Sequence, residues 1–325
     1  MRTVRAIIPV LVMGMTLAHA GDKKNKKDDP SQIGNRDVGK GINLYSPERE
    51  LALGKQLAGE VARQAKLVDD PLLTEYINRL GQNLARNSDA KFPFTFQVID
   101  DEAPNAFALP GGFVFVHTGL IKLASEEDEL AGAVAHEIAH VAARHMTRQA
   151  TKATIAQMGT IPLSVILGGG LGGYGARQAT SAAMPMMFLK FSRGDESEAD
   201  YLGVQYMYSA GYDPNGAVSI FEKMESLKKK QPGVFDRLFS THPMDADRID
   251  KTQKEIDRIL PAKEEYIVNT SEYRDMRERL IAMQNRRKAD EKGRPQLRVH
   301  PGSGRPEDQK DSDDRPTIRR RDLVD

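Results

Sequence analysis

His136-Glu137-Ile138-Ala139-His140 constrains this 325-residue chain more than any other stretch. On a helix of 3.6 residues per turn, positions i and i+4 lie on one face, so both imidazoles can reach a single metal ion. Glu137, beside the first of them, can reach a water bound to that ion. The pattern asks for a helix over these residues and for a third protein ligand from elsewhere, with the fourth position left open.

Composition narrows what can supply that ligand. There is no cysteine, so the chain has no disulfide, no thiolate nucleophile and no sulfur ligand; any metal rests on His, Asp and Glu. The net charge of +1 gives no electrostatic case for nucleic acid. With 39% hydrophobic and 29% charged residues, the chain reads as a soluble globular protein with polar extremities. The N-terminus reads as a secretory signal: Arg2 and Arg5, an apolar run from Ala6 to Leu17, and Ala18-His19-Ala20 as the cleavage site. The run holds Pro9 and Gly14 and is too short to span a bilayer comfortably. With no cysteine after the cleavage site, a lipoprotein anchor is excluded. The expectation is a signal peptide over 1–20, cleaved after Ala20, and a periplasmic mature chain.

Residues 21–41 are polar and read as a flexible leader. Ser46-Pro47-Glu48 starts a helix, with Leu51, Leu53, Leu57 and Val61 as its buried stripe. A second helix is expected from Pro71, burying Leu72, Tyr76, Ile77, Leu80 and Leu84. Phe94 to Asp100 alternates as a strand, and Phe113 to Val116 forms another after the Pro110-Gly111-Gly112 turn. The helix carrying His136 is expected to start at Ser125, with a capping pattern to Asp128, and to continue to about Gln149. Further helices are expected over 193–210, 214–229, 243–259 and 271–289. Between Lys152 and Arg177 lie 24 uncharged residues, read as an apolar loop or hairpin near the site, with peripheral membrane contact through 155–176, or as buried core. Pro162 and the glycines at 168, 169, 170, 172, 173 and 175 make that run a poor spanning helix. The expected organisation is a core domain over 42–262, a charged helical extension over 263–290 and a disordered tail over 291–325.

Two histidines with a base between them is the zinc-hydrolase arrangement. A third histidine in the metzincin manner is absent, because Ala143 and Met146 stand where glycine and histidine are needed. His145, nine residues after His136, falls about 180° around a continuous helix and reads as a surface or packing residue. The gluzincin solution is a glutamate from a second helix. Asp195 to Gly203 offers Glu196, with Asp200 on the same face to support the ligands. Glu198 points about 160° away from the first of them, so Glu196 is preferred.

His-Glu-x-x-His followed by Glu-x-x-Ala-Asp resembles the HtpX and Oma-type family of zinc metallopeptidases, which includes the CAAX prenyl endopeptidases. Asn105 to Gly112, then Phe113 to Gly119, resembles the family's segment before the metal helix. Ser240-Thr241-His242-Pro243, with Arg248-Ile249 downstream, resembles its late Thr-His-Pro element. The resemblance covers about residues 42–260 and is closest in type to soluble periplasmic BepA- and LoiP-like members; unlike the BepA-type proteins, the chain shows no C-terminal helical repeats in its sequence.

The resemblance implies an α+β fold, a mostly helical gluzincin-type domain with a small β-sheet beside the zinc helix. It implies one zinc per chain on His136, His140 and Glu196, with Glu137 as general base and Asp200 orienting a histidine. His242 is open between stabilising the oxyanion, blocking the zinc as a fourth ligand, and packing a loop. Phe113 to Val116 is open between an edge strand for an extended substrate and an ordinary packed strand. The function expected is a periplasmic zinc endopeptidase acting on misfolded or mislocalised envelope proteins, its partners being unfolded or outer-membrane polypeptides and no nucleic acid. The alternative is a chaperone-like binding protein with a latent or regulatory zinc site.

Overall fold

Ser46 and Asp70 begin the first two helices by one device, a side-chain oxygen accepting a backbone N–H three residues on, with proline next in line. Ser46 Oγ accepts from Arg49 at 3.3 Å and Asp70 Oδ1 from Leu73 at 3.0 Å. They open α1 (Pro47–Gln64) and α2 (Pro71–Arg86). The computed structural model describes residues 26–160, 191–230, 242 and 246–293. The chain divides into two units, Met1–Met283 and Gln284–Asp325. The fold below is that of the first; the described part of the second is the C-terminal end of one helix.

After α2 come β1 (Thr95–Ile99), β2 (Ala106–Leu109) and β3 (Phe113–His117), then α3 (Thr118–Leu123), α4 (Glu127–Ala142), α5 (His145–Thr160), α6 (Arg193–Ala210), α7 (Asn215–Lys230), α8 (Ala246–Ile259) and α9 (Ser271–Gly293). The fold is α+β and mostly helical, as expected, with the sheet beside α4. The sheet order is β1-β3-β2, with β3 parallel to β1 and antiparallel to β2. Phe113 to Val116 therefore lies in the middle of the sheet and is not an edge strand. Both its faces are packed, and Val114 and Val116 are fully buried. The free edge belongs to β2. Its sequence, Ala-Phe-Ala-Leu, has no β-branched residue to mark a strand. The outer side of β1 is covered, since Val68 and Lys66 bond Val98 and Asp100 across it. Gly111 and Gly112 take φ of 77° and 95° in the β2–β3 turn, which only glycine adopts freely.

All sixteen residues of α4 are buried, including both histidines and the four carboxylates Glu127, Asp128, Glu129 and Glu137, which makes it the central helix of the core. Small residues let its neighbours close in: a Cβ on Gly132 would lie 2.7 Å from the Ala217 Cα of α7. α4 starts later than expected, at Glu127, where Glu129 accepts the Ser125 N–H at 2.6 Å. It also stops sooner. The single helix expected to reach Gln149 is broken after Ala142. Arg144 takes φ of 56°, and α5 sets off from His145 in a new direction. The break is fastened from outside, the Arg144 guanidinium being held by Glu50 at 2.7 Å and by the Tyr45 carbonyl at 2.6 Å.

That same Glu50 explains a misplaced stripe on α1. The buried face is Glu50, Gly54, Leu57, Ala58 and Val61, while Leu51, expected inside, is 36% exposed. A count of apolar residues cannot see a buried carboxylate whose partners, Arg144 and Thr147, lie 94 and 97 residues away. On α2 the stripe is Leu73, Tyr76, Ile77, Leu80 and Leu84; Leu72, one residue off that face, is 50% exposed.

Residues 26–38, within the expected flexible leader, are seated on the core. Arg36 bonds both Asp89 oxygens and Gln205, and Tyr206 also donates to Asp89. The uncharged stretch begins as helix, because α5 runs to Thr160. The rest of it to 176, with its expected membrane contact, lies outside the described residues, as do the expected signal peptide at 1–20 and the tail from 294. Among the described residues no helix is long and apolar enough to cross a membrane.

Burial, then the nearby Asp213, pushes the Asp128 carboxyl at the start of α4 up to about 7. A raised carboxyl favours the neutral form in the fold. Charging it therefore costs stability progressively as pH rises from the unfolded value near 3.9 to about 7. Asp128→Asn, neutral throughout, is expected to raise Tm at pH 8 and to leave it unchanged at pH 4, as read by thermal melts at the two values.

Candidate metal centre

α4 turns His136 and His140 to the same side, their Nε2 atoms 3.0 Å apart. α6 crosses that face and brings Glu196, with Oε1 3.5 Å from His140 Nε2 and Oε2 3.6 Å from His136 Nε2. α6 starts one turn earlier because Ser192 and Asp195 cap each other's ends of that turn, Ser192 Oγ accepting from the Asp195 N–H and Asp195 Oδ2 from the Ser192 N–H. His242 completes the group, its Nδ1 3.0 Å from Glu196 Oε1 and 3.4 Å from His136 Nε2. One ligand atom from each of these four side chains lies within 4.8 Å of all the others. Tetrahedral N and O ligands at about 2.0–2.1 Å from a shared ion stand roughly 3.3 Å apart. The separations of 3.0 to 3.6 Å fit that spacing. The donor set of three imidazoles and one carboxylate suits a borderline-soft divalent ion.

Each of the two α4 histidines is backed on its far nitrogen. Asp200, one turn beyond Glu196 on α6, has its Oδ1 2.9 Å from His136 Nδ1. Arg248 of α8 ties the two carboxylates together, donating to Asp200 at 2.7 and 2.9 Å and reaching Glu196 Oε2 at 2.6 Å. Behind His140 stands His145. The reading that placed it on the far face is corrected by the break at Arg144, which swings it back so that its Nδ1 lies 3.0 Å from His140 Nδ1. Glu198, correctly placed away from the ligand cluster, meets His145 Nε2 at 3.2 Å. Arg248 and His145 had no assigned part in the sequence reading. For Arg248 the one signal is its place after the Thr-His-Pro element; for His145, with no glycine or proline at 142–144, there is none.

Glu137 points into the site from the β2 side. Its Oε2 accepts the Ala108 N–H at 3.0 Å, and its Oε1 is 3.8 Å from His242 Nε2. Burial pushes its carboxyl up, with His242 and His136 pulling against that rise. For Glu196 burial also acts upward, but His242, His136 and Arg248 outweigh it and hold the carboxyl down. Burial, then the neighbouring histidines and Arg248, push the His140 imidazole well below the usual histidine range, which favours the neutral form that ligates a metal. A cleft opens against His136 and Glu137, walled by Leu120, Ala133, Phe221 and Met224 and edged by Asn105 and Ala106.

The comparisons with known proteins fall on this same region. A family model described as Peptidase family M48 matches residues 71–256, from the start of α2 to the last turn of α8. The chain is 34% identical over 246 residues to a putative beta-barrel assembly-enhancing protease of Vibrio cholerae, covering 72% of this chain and 49% of that protein. It is 30% identical over 221 residues to the beta-barrel assembly-enhancing protease of Escherichia coli K12, covering 66% and 45%. To the mitochondrial metalloendopeptidase OMA1 of Schizosaccharomyces pombe it is 35% identical over 188 residues, covering 56% and 52%. The chain thus spans about half the length of the curated relatives it matches. The matched span contains His136, Glu137, His140, Glu196, His242 and Arg248, and covers more than half of the sequence: the chain belongs to peptidase family M48.

Proposed function

We propose that this chain is a periplasmic zinc endopeptidase, with His136, His140 and Glu196 holding one zinc ion per chain. The observation that carries the reading is the buried three-imidazole, one-carboxylate cluster with the Glu137 carboxylate beside it at the head of an open cleft. Zinc bound there supplies Lewis acidity, lowering the pKa of a water and polarising a carbonyl oxygen. Glu137, its pKa raised by burial, takes the proton of the attacking water and gives it to the departing amine nitrogen. The Ala108 N–H fixes one of its oxygens and leaves the other toward the cluster.

The substrate is an extended polypeptide seated on β2. Ala108 turns its N–H away from β3, toward Glu137, and by antiparallel alternation Ala106 faces the same open side. Main-chain pairing along that edge gives affinity with little demand on sequence. The apolar wall of Leu120, Ala133, Phe221 and Met224 receives an apolar side chain next to the scissile bond. The names of the bacterial relatives refer to β-barrel assembly, which accords with unfolded or mislocalised outer-membrane polypeptides as substrates. The Ala18-His19-Ala20 cleavage pattern accords with export.

The contacts of His242 with Glu196 and His136 inside the ligand cluster support the blocking role over the oxyanion role. The resting enzyme is then latent, and its activation moves His242 aside. His242→Ala is expected to raise the rate of casein cleavage at unchanged zinc content. A loss of roughly 10²–10³-fold in kcat would instead show that His242 stabilises the oxyanion.

A further inference from the structure

The two α4 histidines are supported by different chemistry. Behind His136 is a carboxylate, Asp200, in the usual manner of a metal-binding imidazole. Behind His140 is another imidazole, His145, entirely buried, with a carboxylate one ring further out. For His140 to offer its Nε2 lone pair to a metal, its proton must sit on Nδ1. That N–H points at His145 Nδ1, 3.0 Å away. His145 accepts there only when its own proton is on Nε2, and Nε2 lies 3.2 Å from Glu198 Oε2. Glu198 is in turn placed by Arg148 and Lys27, each at 3.4 Å. Donor and acceptor alternate along the row without conflict, and a carboxylate ends it.

We propose that His145 and Glu198 form a positioning relay that fixes the tautomer and aim of His140, doing through an interposed ring what Asp200 does directly for His136. The inference rests on His140 being a metal ligand. The break after Ala142 serves this purpose, since a continuous helix would carry His145 to the opposite face. Plain packing does not account for the arrangement. Phe191 already covers the His140 ring, at 4.2 Å between centroids, and an apolar side chain in place of His145 would need no carboxylate beside it.

The test is zinc affinity by chelator competition on the full chain, together with the visible spectrum of the cobalt-substituted protein. Three variants are compared: His145→Phe, His145→Asn and Glu198→Gln. His145→Phe keeps the bulk, removes the acceptor, and is expected to weaken zinc binding roughly 10–100-fold and to alter the cobalt spectrum. His145→Asn places an amide oxygen near the Nδ1 position and should recover most of that affinity. Glu198→Gln should weaken binding in the wild-type chain and do nothing further in the His145→Phe background. Unchanged affinity in His145→Phe, or equal effects of Glu198→Gln in both backgrounds, overturns the relay. If His145→Phe does not fold, Glu198→Gln decides, its side chain being 26% exposed and tolerant of exchange; unchanged zinc affinity there overturns the relay as well. A wild-type chain that binds no zinc would fault the ligand assignment instead.

Discussion

Glu137→Gln is expected to bind zinc as the wild-type chain does and to cleave casein roughly 10²–10⁴-fold more slowly. Glutamine keeps the shape and the oxygen that accepts the Ala108 N–H, so the β2 edge stays in place. What it loses is the ability to receive a proton. The setting of Glu137 suits the proposed transfer: buried, with its carboxyl pushed up, and with the second oxygen facing the ligand cluster. Burst-free steady-state assays on wild type and variant, with zinc counted in each, separate this effect from loss of the metal. Cleavage by the variant within about tenfold of wild type, at equal zinc, would leave the general-base assignment without support.

Arg248→Met is expected to produce the largest change in stability. The guanidinium reaches Glu196 Oε2 and both Asp200 oxygens within 2.9 Å, and all three side chains are buried. Removing one partner from such a group strands the others, at a cost of roughly 3–5 kcal/mol. For a domain of this size that is a fall in Tm of roughly 6–20 °C. A divalent ion beside Glu196 restores positive charge where the guanidinium was. The fall should therefore be larger in protein stripped by a chelator than in zinc-saturated protein. Thermal melts in the two conditions check the claim; an equal fall in both would show that the carboxylates do not face the metal.

Much of this was legible in the sequence because it is local. The spacing of His136 and His140 fixes their common face on any helix, and Glu196 and Asp200 share a face for the same reason. Ser46-Pro47 marked the start of α1, and Pro71 that of α2, whose Asp70 cap the structure adds. Other features depend on partners distant in the chain or on a backbone departure with no marker. The Arg144 break follows alanines rather than glycine or proline, so extrapolating at 100° per residue sent His145 to the wrong side. Glu50 is buried only because that break delivers Arg144 and Thr147 to it, and this in turn displaced Leu51 to the surface. The β2 edge is four residues of ordinary composition, and its neighbour Phe113 to Val116, richer in strand formers, drew the assignment that β2 holds. Arg36 and Asp89 form a buried pair 53 residues apart that no periodicity announces.

Zinc-edge X-ray absorption on the purified chain tests the centre most directly, because it counts ligands at the ion itself. One zinc per chain is expected, with N/O ligands at about 2.0–2.1 Å, no sulfur, and an outer-shell signal of three imidazoles. In His242→Ala that signal should drop to two imidazoles, with the zinc retained. A chain that holds no zinc, or one whose zinc keeps its full imidazole count when His136 or His140 is replaced, would contradict the ligand assignment.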